Sequence, residues 1–257
     1  PGPIVPLIAE TGGQNAMIVD SSALCEQVVT DIIQSAFYSA GQRCSSLRIL
    51  YIQEELSERL TNMLIGAMDQ LIIGNPRLID TDIGPIIDKD SWQKLHDYLN
   101  TAEESGQAKL LHQVSLPEDL LGYYFPPSIL LIDNCRHLAQ EVFGPVLHLS
   151  YYKAQELEQI LDDIAGLNYG LTLGINSRIA SNIDYIQQKL RVGNTYINRN
   201  MVGAVVGTQP FGGERLSGTG PKAGGPYYLP RLCTETVITT NLTAVGGNTH
   251  LITMEDV

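Results

Sequence analysis

Cys44, in the run Gly41-Gln42-Arg43-Cys44-Ser45, carries a thiol able to attack a carbonyl carbon, and Glu10, 34 residues upstream in Glu10-Thr11-Gly12-Gly13, carries a carboxylate able to activate water. Those are the two protein groups needed to turn an aldehyde, through a thioester, into a carboxylic acid. Each has a plainer reading. A lone cysteine is most often a small buried hydrophobe, and a Glu ahead of Gly-Gly is mostly a strand end entering a turn. Glu141 and Phe143, in Glu141-Val142-Phe143-Gly144-Pro145-Val146, add a carboxylate that could accept from vicinal hydroxyls and an aromatic face that could support a flat ring. Their plainer reading is a surface glutamate and a core phenylalanine. His96, His112, His137, His148 and His250 show no spacing tied to Cys44, and Cys25, Cys44, Cys135 and Cys233 are far apart, so no metal site is expected.

The elements that must position these groups can be read from the hydrophobic pattern. Short apolar runs at Ala16–Val19, Leu47–Ile52, Ile129–Ile132, Val146–Tyr151, Leu171–Ile175 and Thr195–Ile197 read as strands. Between them Leu24–Ala40, Glu54–Leu71, Gln155–Ile164 and Ile179–Leu190 carry apolar residues at helical spacing, the first ended by Gly41. This alternation predicts an α/β fold with an open, largely parallel twisted sheet and helices on both faces. The β-branched run Thr234–Thr240 predicts a late C-terminal strand, able to pair with another part of a larger chain. Gly218-Thr219-Gly220-Pro221-Lys222-Ala223-Gly224 has one residue too many, and a proline, for a dinucleotide phosphate loop, and reads as turns. The helix ahead of Cys44 would point its C-terminus at the thiol, which disfavours a thiolate, so activation has to come from elsewhere.

With 257 residues and 44% hydrophobic composition, the chain can bury a sizeable core. A net charge of −12 repels polyanions, so nucleic acid is not an expected partner. The scattered cysteines suit reduced thiols in a cytoplasm, and neither an export signal nor a membrane span is visible.

Four motifs, around Glu10, Cys44, Glu141 and Pro210-Phe211-Gly212-Gly213-Glu214-Arg215-Leu216-Ser217-Gly218, resemble the aldehyde dehydrogenase superfamily in the same order. Ala9–Ala16, Gly41–Ser45, Gly193–Asn200, Gly218–Pro226 and Asn241–Asn248 are similar, more narrowly, to the L-glutamate γ-semialdehyde (1-pyrroline-5-carboxylate) dehydrogenase branch found within bifunctional proline utilization A flavoenzymes. The resemblance implies Cys44 as nucleophile, Glu10 as general base, and Glu141 with Phe143 at the ribose and ring of NAD. It further implies that Ser45 and the amides of Gly203 and Ala204 hold the substrate α-carboxylate, with Phe211 against its aliphatic chain. The same resemblance divides the chain into residues 1–14, closing a dinucleotide-binding lobe; 15–230, the catalytic domain; and 231–257, a C-terminal strand and tail. It places the NAD-binding lobe outside this chain, with FAD confined to a proline dehydrogenase module of a homo-oligomeric parent, so the 257 residues alone are expected to be inactive. Competing readings are a dehydrogenase for another semialdehyde or an aliphatic aldehyde, an acylating dehydrogenase that would not need Glu10, a cysteine hydrolase that would need a His base, and a non-catalytic interaction lobe.

Overall fold

The structure is a computed structural model that describes residues 2, 4–138, 140–205, 207–241 and 244. Its centre is a seven-stranded sheet with the order β3-β4-β5-β2-β1-β6-β7, made of β1 (Asn15–Val19), β2 (Leu47–Gln53), β3 (Lys109–Gln113), β4 (Ser128–Leu131), β5 (Val146–Tyr152), β6 (Thr172–Asn176) and β7 (Asn194–Ile197). Every neighbouring pair is parallel except β3 with β4. Both faces of the inner strands are covered, so β1 and β2 are buried along their whole length and read as unbroken apolar runs rather than alternating ones.

Helices α1 (Cys25–Ala36), α2 (Ser57–Met68), α3 (Lys89–Glu104), α4 (Leu157–Gly166) and α5 (Ala180–Lys189) supply the cover, with a short α6 (Tyr228–Arg231) near the end. In α1 the buried Val28, Val29, Ile32, Ile33 and Ala36 recur at three- and four-residue intervals, the spacing that puts them on one side. α3 escapes the sequence pattern because only Leu95, Leu99 and Ala102 are buried on it. It is defined instead by its start, where the Asp88 carboxylate accepts from the Ser91 amide at 2.8 Å, and by Trp92, whose indole donates to the Tyr124 carbonyl at 2.8 Å.

Two expectations are corrected. The helix foreseen over Leu24–Ala40 stops at Ala36, because Ser39 (φ 60°) and Ala40 (φ 52°) turn left-handed and fold the chain into a tight turn ahead of Gly41. The strand foreseen at Thr234–Thr240, read as able to pair with another part of a larger chain, is not formed by this chain alone: these residues are exposed and have no ladder partner among the described residues. Part of the late segment read for the resemblance, and His250, lie outside the described residues. Among the described residues no helix is long and apolar enough to cross a membrane.

In open α/β sheets ligands ordinarily gather at the carboxyl ends of the strands. Here Glu10 leads into β1, Cys44 into β2 and Glu141 into β5, so the candidate residues cluster at the amino ends. α1 explains how the last loop reaches them. It runs back from the carboxyl end of β1, and its final turn carries Gln34 and Ser35, which take Asn200 (2.6 Å) and the Met201 amide (2.9 Å), drawing the segment after β7 back along the helix.

Candidate active site

Cys44 is exposed, in the loop between α1 and β2. Asn15, at the start of β1, holds that loop: its side-chain amide donates to the carbonyls of Cys44 (2.6 Å) and Ser46 (2.9 Å), while its oxygen accepts from the Thr172 amide of β6 at 3.1 Å. The Thr172 hydroxyl then donates to the Ser45 carbonyl at 3.3 Å. The nucleophile loop is thereby pinned to two strands through its backbone, leaving the thiol free. Burial by the surrounding loops pushes the Cys44 thiol upward, the Glu141 charge adds to that and Glu10 adds more, against the amides of Ser45 and Cys44 that favour the thiolate. The resting sulfur is therefore a thiol.

Glu10 is exposed and lies near enough to act on Cys44 electrostatically. Its turn is stitched to the Glu214–Gly218 segment: Glu10 forms an antiparallel bridge with Gly218, the Thr11 amide donates to the Ser217 carbonyl at 3.3 Å, and the Thr219 amide donates to the Ala9 carbonyl at 3.0 Å. The late glycine-rich motif thus serves the first catalytic candidate as a backbone splint, consistent with its reading as turns.

Glu141 has a more demanding setting than a surface glutamate. Oε1 accepts from Arg48 Nη2 at 2.9 Å and Nε at 3.2 Å, and Oε2 accepts from the Gly13 amide at 3.1 Å. A carboxylate offers about four lone-pair sites, so one remains for a further donor in this arrangement. The same packing explains Gly12, where a Cβ would stand 1.8 Å from Glu141 Oε2. Phe143 is exposed and presents its ring to a cleft of about 710 Å³ whose walls include Lys94, Tyr98 and Thr101 of α3 together with His137, Glu141 and Phe143. That volume suits a mononucleotide-sized group.

The four substrate candidates divide. Ser45 is buried, with its carbonyl engaged by Thr172 and no hydrogen bond from its hydroxyl to another described residue. Gly203 adopts a left-handed φ of 51°, which a glycine takes without strain. Tyr196 of β7 links that loop to the nucleophile: its hydroxyl reaches the Gly203 carbonyl at 3.5 Å, and burial first, with the Cys44 charge contributing, raises its pKa. Ala204 follows Gly203 in the same half-buried loop. Phe211 is fixed through its backbone, exchanging two hydrogen bonds with Ala223 at 3.0 and 2.8 Å, while Asn194 takes the Pro210 carbonyl at 2.9 Å.

Sequence reasoning passes over Asn15, Arg48 and Tyr196. Arg48 left a signal, a cation inside the apolar run Leu47–Ile52. Asn15 and Tyr196 left none beyond a polar residue at a strand start and an aromatic within a strand.

Comparison with known proteins identifies the family of the chain. The aldehyde dehydrogenase family matches residues 2–238, and the chain belongs to that family. It is 52% identical over 231 residues to the bifunctional protein PutA of Klebsiella aerogenes, covering 88% of this chain and 18% of that protein. It is 36% identical to the 1-pyrroline-5-carboxylate dehydrogenase of Geobacillus thermodenitrificans, covering 87% of this chain and 43% of the relative. A crystal structure of bifunctional proline utilization A superposes with a TM-score of 0.89 at 50% identity, over 95% of this chain and 25% of that one. A 1-pyrroline-5-carboxylate dehydrogenase from Thermus, solved with bound NAD, gives a TM-score of 0.80 at 30% identity, over 87% of this chain and 43% of its own. The chain therefore spans less than a fifth of the PutA relative and under half of the dehydrogenases.

Proposed function

We propose that this chain is the catalytic segment of an NAD-dependent L-glutamate γ-semialdehyde dehydrogenase, acting in proline catabolism within a longer cytoplasmic polypeptide. The observation that carries the proposal is the convergence of Glu10, Cys44 and the Glu141–Phe143 cleft at the amino ends of three strands, bound to one another through Asn15, Arg48 and Gly13. Within that reading, residues 1–14 close a dinucleotide-binding lobe, 15–230 form the catalytic domain and 231–257 the C-terminal segment. A proline dehydrogenase module on the same polypeptide would hold FAD, and the whole would be a homo-oligomer.

The residues present suit NAD: an exposed aromatic ring beside a carboxylate with one free lone-pair site, at the mouth of a cleft of suitable volume. Glu141 would take a ribose hydroxyl and Phe143 would support the nicotinamide, which when bound supplies the hydride acceptor. The chain's own groups do the remainder. Cys44 gives its proton to water at its exposed face and attacks the aldehyde carbon, the charge passing from sulfur to the aldehyde oxygen; the amides of Ser45 and Cys44 favour the thiolate that begins the step. After oxidation the acyl group remains on Cys44 as a thioester. Glu10 takes a proton from water, the resulting nucleophile adds to the acyl carbon, and glutamate leaves as the Cys44 sulfur is released. Ser45, Gly203 and Ala204 would hold the α-carboxylate at one end and Phe211 the methylene chain, leaving the aldehyde at the sulfur.

In the full-length polypeptide containing this chain, Cys44→Ala should abolish aldehyde oxidation. Glu10→Gln should give a burst of NADH near one equivalent and then stall at hydrolysis. Steady turnover of the glutamine variant at the wild-type rate would remove Glu10 from the role of base.

A further inference from the structure

The loops that carry the candidate residues meet at one side chain that none of the roles above employs. Arg48 lies in β2 between Leu47 and Ile49, with its side chain wholly buried. A guanidinium has five N–H donors in a rigid fork, and here all five are used. Nη1 donates to the Gly41 carbonyl (2.7 Å) and the Gly144 carbonyl (3.1 Å); Nη2 donates to the Arg43 carbonyl (3.0 Å) and Glu141 Oε1 (2.9 Å); Nε donates to Glu141 Oε1 (3.2 Å). The guanidinium carbon also sits 5.2 Å from the centre of the Phe143 ring.

These partners fall into two sets. Gly41 and Arg43 belong to the loop that ends in Cys44, while Glu141 and Phe143 line the cleft and Gly144 follows them in the same segment. The loops are already in contact, since a Cβ on Gly41 would lie 2.1 Å from the Gly144 carbonyl oxygen. Arg48 is itself braced, because its carbonyl meets His148 Nδ1 at 3.0 Å and His148 Nε2 meets the hydroxyl of Tyr98, a residue of α3 that also lines the cleft, at 2.7 Å. An ion pair with one partner wholly buried and the other only 13% exposed is weak evidence for stability, since desolvation offsets much of its attraction. Its geometric consequence here is specific.

We propose that Arg48 is a positioning residue for the dehydrogenase reaction, which sets the Cys44 loop at a fixed distance from the Glu141–Phe143 wall so that one bound cofactor is in register with the nucleophile. The proposal rests on the site reading given above. Lysine cannot replace it: an ammonium has three donors and no fork, and would leave carbonyls of one loop or the other unpaired.

The test is Arg48→Lys in the full-length polypeptide, with rates expressed per folded molecule. The variant should lose at least tenfold in kcat and raise the KM for NAD at least fivefold, while the KM for the aldehyde changes less than twofold. Wild-type kcat and NAD KM per folded molecule, with only a lower melting temperature, would reduce Arg48 to a stabilising residue and overturn the proposal. Should Arg48→Lys fail to fold, Glu141→Asp keeps the charge but is too short to hold Arg48 and Gly13 together. The rate of Cys44 alkylation by iodoacetamide should then change at least threefold across the loop contact, and a rate equal to wild type would also overturn the proposal. Cys44→Ala, assayed beside them, tests the underlying reading separately: aldehyde oxidation surviving in that variant would dismiss the site itself rather than the role of Arg48 within it.

Discussion

At the scale of single residues, this site separates a sulfur that must be reactive from the groups that hold it. Cys44 is fastened through main-chain carbonyls alone, by Asn15, Thr172 and Arg48 acting on its own loop, so its side chain is committed to nothing else. Burial, and after it the neighbouring carboxylates Glu141 and Glu10, work against a resting thiolate. Ser45 is buried and its hydroxyl bonds no other described residue, which is what a substrate-facing donor would show. In the full-length polypeptide Ser45→Ala should cost about 1.5 to 3 kcal/mol, roughly ten- to hundredfold in kcat/KM, on glutamate semialdehyde. The loss should be much smaller for an aldehyde of similar length without the carboxylate. Equal losses on both would mean that Ser45 positions Cys44 rather than the substrate.

Between elements, the contacts that matter are those between loop backbones at the amino ends of β1, β2 and β5, and glycine appears where they come closest. Gly12 faces Glu141 at a distance that admits no Cβ, and the carboxylate it would displace is held by a buried arginine. Gly12→Ala should therefore break the bond from the Gly13 amide to Glu141, costing about 1.5 to 3 kcal/mol as for other hydrogen bonds to charged groups. Differential scanning calorimetry should show a melting temperature several degrees lower. An unchanged melting temperature would show that Glu141 can turn aside freely and that the three-loop junction is looser than its geometry indicates.

For the molecule as a whole, two further outcomes follow. His148 is buried between the Arg48 carbonyl and Tyr98, and burial pushes its pKa down to about 4, partly offset by its backbone hydrogen bond. An unfolded histidine titrates near 6.5, so below that pH the unfolded chain binds a proton that the folded chain refuses. Stability present above pH 6.5 should thus be lost as the pH falls toward 4, by about 3 kcal/mol in total from this group. Urea unfolding across that window should show the decline, and His148→Gln should flatten it; an identical slope in the variant would move the acid sensitivity elsewhere. The second outcome concerns NAD. On the reading proposed above, the cleft beside Phe143 would take one end of a dinucleotide, so the 257-residue chain alone should bind NAD weakly or not at all. Calorimetry giving a dissociation constant near 1 μM would contradict this, since it requires roughly 8 kcal/mol from half a site.

Much of this was legible in the residues themselves. The alternation of short apolar runs with amphipathic ones determined the α/β class, because a parallel sheet covered on both faces forces its strands to be apolar throughout. Cys44 and Glu10 stood out only through their company: by type alone a cysteine and a Glu before Gly-Gly have plainer readings, and the resemblance of four motifs to the aldehyde dehydrogenase superfamily is what singled them out as candidates. Sequence could not say that a cation inside β2 would spend all five donors on loops far apart in the chain, since Arg48 meets Gly41 and Gly144 only once β2 and β5 are neighbours. Nor could it show that Ser39 and Ala40 turn left-handed and end α1 early. Composition and periodicity determine which residues are buried and which are chemically able; the tertiary structure alone decides which of them meet, because hydrogen bonds and ion pairs depend on distances that only the assembled sheet sets.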